Sequence, residues 1–246
     1  MGRPIRIFLI RHAVSEANLD KKVNARLPDP QIPLAAIGHD QASRAAAELV
    51  RHLQQLPDFA QQRNRILCSP YRRTRETSTH FEQAFTDAGI AFDRREDIAL
   101  REISFGLFDG LDDDELAEIY PREHAHYEKH KSFEGEFYAP MPMGEARVQV
   151  ADRVKTVFGT ILRDNSPERQ DRINNFFIVS HGVTIRAFIM QWMHHTPEWF
   201  EQQPNPQNVS INCIRSDGTH PYHHGIVFDG YPYERNKQQK REEGEA

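Results

Sequence analysis

The sequence has little of several features that mark secreted, membrane or redox proteins. Its 246 residues include only two cysteines, Cys68 and Cys213, which are too few for a disulfide framework. No apolar run reaches the roughly 18 residues that a membrane-spanning helix needs. The short apolar stretch at 5–10 has no small-residue cleavage site after it, so it predicts a strand rather than a signal peptide. A reducing cytoplasm is the predicted compartment.

The chain also has no excess of positive charge. The formal net charge is −5, so the protein has no general basic field that would attract nucleic acid or an acidic membrane. No Walker loop is present to bind nucleotide phosphates. We therefore expect a small-molecule substrate, no nucleic-acid partner and no membrane partner. The sequence leaves the oligomeric state open between a monomer and a homodimer.

Short apolar runs alternate with amphipathic segments along most of the chain. The apolar runs predict buried strands at 5–10, 65–68, 90–92, 176–179, 209–214 and 225–228. Apolar residues at helical spacing predict helices at 37–56, 71–88, 145–162 and 183–193. This alternation predicts an α/β fold, a three-layer αβα sandwich with a mainly parallel central sheet. In such sheets the functional site lies beyond the carboxyl ends of the strands.

Two segments depart from this pattern. Residues 103–143 are rich in aromatic side chains and predict a small, partly helical cap that covers a pocket. Residues 234–246 are charged and almost without apolar side chains, so we predict a disordered tail there. The main domain is predicted to span 1–233, with the cap as an insertion.

Chemically active side chains follow the predicted strands. Arg11 and His12 come directly after the first strand, and Arg73 comes shortly after the second. Glu102 and His181 follow further along the chain. Arginine suits phosphate geometry, histidine can act as a nucleophile or a charged donor, and a lone carboxyl group is a candidate proton donor. We expect these five side chains to line a single pocket that fits a phosphate.

Five segments, in order, resemble the motifs of the histidine phosphatase superfamily, which has the phosphoglycerate-mutase-like fold. The first contains the Arg-His pair, with Ala13 where the family usually has glycine. The five segments are 9–18, 33–42, 68–77, 100–110 and 179–186. The chain is identified as a member of this superfamily, and details of the segments resemble a branch of small phosphatases with broad specificity.

The resemblance implies a two-step hydrolysis of a small phosphorylated metabolite. His12 would take the phosphoryl group as phosphohistidine, and Glu102 would protonate the leaving oxygen and then activate water. Arg11, Arg73 and His181 would balance the charge of the phosphoryl group, with His181 expected to be protonated. The resemblance implies no metal and no cofactor.

The same resemblance implies a wider set of contacts to phosphate and substrate. Two asparagine amides and a backbone N–H group at the start of a helix would add hydrogen bonds to phosphate oxygens. The predicted binding set is Arg11, Asn18, Asn24, Arg73, His181 and Gly182.

Two other functions remain as alternatives. A phosphoglycerate mutase-type phosphotransferase would use the same phosphohistidine, but Ala17 and the segment 102–106 differ from the patterns of those mutases. A catalytically inactive phosphate-binding protein is the non-enzyme alternative, and the presence of both His12 and His181 argues against it.

Two further groups of residues could carry other chemistry. Cys68 lies near arginines, but a cysteine phosphatase needs arginine six residues after its cysteine, where this chain has Thr74. His124, His126 and His130 could bind a metal, but no partner ligands are evident, and a hydrated helix face is the favoured interpretation.

Overall fold

The computed structural model describes residues 4–219 and 221–232. Its central sheet has six strands in this part of the chain: Pro4–Arg11 (β1), Asn64–Cys68 (β2), Phe92–Glu96 (β3), Asn175–Ser180 (β4), Ile211–Asp217 (β5) and His223–Phe228 (β6). The α-helices are Glu16–Leu19 (α1), Ala36–Gln54 (α2), Arg72–Asp87 (α3), Asp113–Ile119 (α4), Pro121–Glu134 (α5), Arg147–Asp164 (α6), Gly182–Trp192 (α7) and Pro197–Gln202 (α8). Short 3-10 turns cover Lys21–Ala25, Asp29–Gln31, Phe59–Gln61, Ile98–Leu100 and Gly106–Phe108.

The sheet order is β3-β2-β4-β1-β5-β6. β3, β2, β4 and β1 run parallel, whereas β5 and β6 are antiparallel to their neighbours. Val179 in β4 is level with both Ile10 in β1 and Cys68 in β2. The carboxyl ends of these three strands therefore reach the same edge of the sheet, which positions the site.

Helices cover both faces of the sheet. On one face, apolar side chains of α2 and α3 pack against alternate residues of the strands, such as Phe8 and Phe177, whose rings stack with centroids 4.9 Å apart. On the other face, α6 and α7 pack against the opposite residues, such as Ile7 and Phe176. This arrangement confirms the predicted α/β sandwich with a mainly parallel sheet.

The strand at the sheet edge differs from its prediction. The apolar run predicts a strand at 90–92, but β3 spans Phe92–Glu96. Four of its five residues are charged and exposed, because an edge strand pairs on one side only and has a solvent-facing surface. Arg65 of β2 nevertheless forms ion pairs with Asp93 of β3 and Asp164 of α6, and these anchor the edge.

The cap leaves and rejoins the main body at one point. The Glu145 N–H group donates to the Ser104 carbonyl at 2.8 Å, and the Leu107 N–H group donates to the Pro142 carbonyl at 3.0 Å. Between these contacts the chain forms α4 and α5. The division into a domain at 1–233 and a cap at 103–143 remains a prediction, and the predicted tail at 234–246 lies outside the described residues.

None of the helices in the described ranges has the length and apolar character needed to cross a membrane. The cytoplasmic location and the choice between monomer and homodimer remain predictions.

Candidate active site

The end of β1 is fixed by contacts from three other segments. The His12 N–H group donates to the Ser180 carbonyl at 2.9 Å, which continues the pairing of β1 with β4. The Asn208 side-chain amide donates to the His12 carbonyl at 3.0 Å, and the Ala13 N–H group donates to the Thr77 hydroxyl at 3.1 Å. The backbone of His12 and Ala13 is therefore fixed by hydrogen bonds to Ser180, Asn208 and Thr77.

The hydrogen bond of the His12 ring determines its tautomer. Its Nδ1 atom lies 2.7 Å from the carbonyl oxygen of Ala13, which can only accept, so Nδ1 carries the proton and Nε2 carries the lone pair. Burial lowers the pKa of His12 well below 6.5, and the charges of Arg73 and Arg11 lower it further. The ring is therefore neutral and able to act as a nucleophile at neutral pH.

His181 lies fully buried beside His12. The two ring centroids are 5.2 Å apart, and His181 Nε2 lies 2.9 Å from the Ser69 hydroxyl oxygen. Burial and then the charge of Arg73 hold the pKa of His181 well below 6.5. Low polarity and nearby positive charge both favour the neutral ring in this arrangement, and a protonated His181 remains a prediction. A bound phosphate dianion would act in the opposite direction.

Two arginines lie close to His12. Arg11 Nη1 donates to the Pro206 carbonyl at 2.5 Å, and burial lowers the pKa of Arg11. Arg73, on the first turn of α3, is buried, and its Nη1 donates to both the backbone and the carboxylate of Asp29, at 2.8 and 2.6 Å. Both guanidinium groups are thus oriented by fixed acceptors, and each has further N–H donors that can bind phosphate oxygens.

Glu102 follows the short turn Ile98–Leu100. Its Oε1 atom accepts from the Ile103 N–H group at 3.0 Å. Burial raises the pKa of Glu102, and this effect exceeds the opposing effects of that hydrogen bond and of Arg73 and Arg11. The sequence did not show whether burial or the arginines would dominate the pKa of Glu102. In the structure burial dominates, and this favours the protonated form that a proton donor needs.

These side chains meet at a cavity of about 280 Å³. Four of the five predicted residues line it directly: Arg11, His12, Arg73 and Glu102. His181 does not line the cavity, because its ring lies against the ring of His12, although the next residue, Gly182, does. The volume is sufficient for a phosphate with a small alcohol group attached.

A family model described as the histidine phosphatase superfamily (branch 1) matches residues 7–227. The chain belongs to this superfamily. The family predicted from the five sequence segments is therefore confirmed. The predicted class of enzyme, a histidine phosphatase, agrees with this family.

Relatives of this histidine phosphatase differ in what their names state. A phosphoglycerate mutase-like protein of Arabidopsis thaliana is 35% identical over 216 residues, which cover 86% of this chain but only 65% of the plant protein. A broad-range acid phosphatase of Saccharomyces cerevisiae is 25% identical, over 88% of this chain and 86% of the yeast protein. Mycobacterial glucosyl-3-phosphoglycerate phosphatase, a solved structure, superposes with a TM-score of 0.63 at 20% identity, over 93% of this chain and 100% of its own. The last likeness is evidence for the fold alone.

The remaining predicted contacts divide into two kinds. Asn18 Oδ1 accepts from both the backbone and the hydroxyl of Ser15 at 3.1 Å, which leaves its Nδ2 donor for a ligand. Gly182 begins α7. A side chain at this position would be crowded, because a Cβ atom there would lie 2.9 Å from Asn205 Oδ1. Asn24 also lines the cavity, but its Nδ2 atom donates to Asp109 at 2.6 Å. This bond uses one of the two N–H donors of the Asn24 amide, and the predicted phosphate contact of Asn24 remains a prediction.

Sequence reasoning missed two carboxylates in the histidine phosphatase cavity, Asp29 and Asp109. The pair Asp109-Gly110 is a turn signal, but nothing in the spacing links it to Asn24, 85 positions earlier. Asp29 lies in a proline-rich loop whose path is not periodic. Loop residues such as these are brought to a site by tertiary packing, which a local pattern does not report.

The other chemical candidates lie outside the cavity. Burial raises the pKa of the Cys68 thiol to about 12, so the sulfur is a poor nucleophile. His126 and His130 stack on each other on α5, with ring centroids 4.6 Å apart. Over residues 4–219 and 221–232, no three or more His, Cys, Asp or Glu side chains are grouped to hold a metal ion.

Proposed function

We propose that this histidine phosphatase is a phosphomonoesterase that hydrolyses small phosphorylated metabolites through a phosphohistidine on His12. The observation that carries the proposal is the hydrogen bond from His12 Nδ1 to the Ala13 carbonyl. It orients the lone pair of Nε2 toward attack, and the lowered pKa of the ring keeps that lone pair free. The yeast relative, which is named as an acid phosphatase, supports the same reaction class.

In the first step, His12 Nε2 attacks phosphorus and the bond from phosphorus to the ester oxygen breaks. Glu102, in its protonated form, gives its proton to the leaving oxygen, so the alcohol departs uncharged. Arg11 and Arg73 hold the oxygens of the transferring phosphoryl group, and such fixed donors supply a large part of catalysis. The products are an alcohol, phosphohistidine and the Glu102 carboxylate.

In the second step, water attacks the phosphorus of phosphohistidine and the phosphorus–nitrogen bond breaks. The Glu102 carboxylate takes a proton from this water, which restores its neutral carboxyl form. Phosphate leaves, and His12 returns to its neutral tautomer. No metal is used in this scheme.

Trapping the intermediate tests the proposal. Mixing the full chain with a ³²P-labelled aryl phosphate and quenching at alkaline pH should leave label on His12, located by peptide mapping. His12→Ala should show no label and a loss of turnover of at least about 10³-fold, because the nucleophile is gone. His126→Ala is the matched control, since His126 is an exposed histidine on the cap.

Two results would contradict the proposal. One is His12→Ala with near-normal turnover, which would remove His12 from the reaction. The other is rapid isomerisation of 3-phosphoglycerate to 2-phosphoglycerate with negligible hydrolysis of any monoester, which would make the protein a mutase.

A further inference from the structure

The carboxylate of Asp109 is unusual among the charged groups of the cavity. It accepts a hydrogen bond from Asn24, and no lysine, arginine or histidine within residues 4–219 and 221–232 forms a direct ion pair with it, although the charge of Arg73 acts on it from nearby. Burial raises the pKa of the half-buried Asp109 and the charge of Asp29 raises it further, while the hydrogen bond from Asn24 and the charge of Arg73 lower it. A partly buried carboxylate without a directly bonded cation is costly unless a ligand supplies a donor.

A second acceptor lies beside it. Because the Nδ2 atom of Asn24 is used by Asp109, its Oδ1 atom remains, and this atom is buried without a partner in the described part of the chain. Gly110 fixes the pair in place: its φ is +78°, and a Cβ atom there would lie 2.8 Å from the Cβ of Asn24. The segments 21–25 and 106–111 therefore form a rigid wall that presents acceptors.

These acceptors cannot serve the phosphate group. Phosphate oxygens need donors, and the guanidinium groups of Arg11 and Arg73 provide them at the strand ends. Asp109 would repel a second anionic group on the substrate, whereas the charge of Asp29 is paired with Arg73. Lys21 also lines the cavity, and it is exposed at the rim, where solvent weakens its charge.

We propose that the wall formed by Asn24 and Asp109 selects phosphomonoesters whose alcohol part carries a hydrogen-bond donor, either an ammonium or a hydroxyl group. This inference rests on the proposed function. The donor would bind the free oxygens of Asp109, and an ammonium group would gain more than a hydroxyl group because both partners are charged. Esters with a bare hydrocarbon chain or a carboxylate would be poorer substrates.

Four esters of one chain length test the wall: propyl phosphate, 3-hydroxypropyl phosphate, 3-aminopropyl phosphate and 3-phosphooxypropanoate. We expect kcat/KM to be about tenfold or more higher for the amine than for propyl phosphate, with the alcohol between them. In Asp109→Asn, which keeps the shape of the side chain, the ratio of amine to propyl ester should fall toward one. Comparing ratios cancels differences between leaving groups. Asp113→Asn removes an exposed charge from α4 and should keep the wild-type ratio.

A second measurement does not depend on a variant. For the wild-type protein, 3-aminopropylphosphonate should inhibit hydrolysis of an aryl phosphate more strongly than propylphosphonate. Equal inhibition, together with equal kcat/KM values for the four esters, would overturn the inference but leave the phosphatase intact. A preference for the carboxylate ester that disappears in Lys21→Met would also overturn the inference, because Lys21 would then be the residue that binds the variable part of the substrate. Failure to hydrolyse any monoester would instead refute the proposed function.

Discussion

The floor and the outer wall of the cavity are built from different parts of the molecule. The floor, Arg11, His12, Arg73 and Glu102, comes from strand ends and the turns directly after them, and its charge is mainly positive. The wall, Asn24 and Asp109, comes from two segments far apart in sequence, and it presents acceptors. The floor matches what all substrates of a phosphatase share, namely the phosphate. In the proposed reaction the wall would face the part of the substrate that varies, so the chemistry at the floor and the selectivity at the wall can be tested separately.

The largest effect that would sharpen this comparison is on Glu102. Glu102→Gln keeps the size of the side chain but removes its proton, so turnover of an alkyl phosphate should fall by about 10²- to 10³-fold. Turnover of a 4-nitrophenyl ester should fall much less, because that leaving group needs little protonation. Steady-state kinetics over a series of leaving groups measures the slope, and an equal loss for every ester would remove Glu102 from the acid role.

A smaller effect is expected at the wall. Gly110→Ala places a Cβ atom 2.8 Å from Asn24 Cβ at a residue with φ of +78°, which strains the wall. We expect a loss of about 1–3 kcal/mol in the free energy of unfolding, measured by urea titration. Gly159→Ala is the control, because a Cβ atom on that helical glycine meets nothing within 4 Å. If Gly110→Ala were as stable as the control, the wall would not be rigid.

The smallest effect concerns the pH dependence of stability. Burial lowers the pKa of His12 below the value of about 6.5 in the unfolded chain, so the unfolded chain binds a proton first as the pH falls. Stability should therefore decrease below pH 6.5. Glu102 has a raised pKa and acts with the opposite sign above about pH 4.5. Because the two groups act with opposite signs, the contribution of His12 is measured as the difference between the wild type and a His12 variant.

His12→Asn should reduce the slope of unfolding free energy against pH, between pH 6.5 and 5, by up to about 1.4 kcal/mol per unit. Urea unfolding of both proteins at several pH values provides the measurement. Parallel curves for His12→Asn and the wild type would show that His12 does not titrate differently in the folded state.

The sequence predicted the floor better than the wall for a physical reason. A buried parallel strand has a short apolar run, and its end is marked by the first polar residues, so Arg11 and His12 could be located from local pattern. The relation of Asn24 to Asp109 depends on two loops packing together, which no local period encodes. The same limit applies to β3, whose charged residues resemble a surface loop rather than a strand.

The charged edge of the sheet has a consequence for how the protein behaves when crowded. β1 and β4 each contain four consecutive apolar residues, 7–10 and 176–179, and an unprotected stack of such strands would add further strands from other molecules. β3 ends the sheet on that side with Asp93, Arg94, Arg95 and Glu96, whose charges an added strand would have to desolvate. The segment that hydropathy alone would not assign to the sheet thus protects its apolar strands from aggregation.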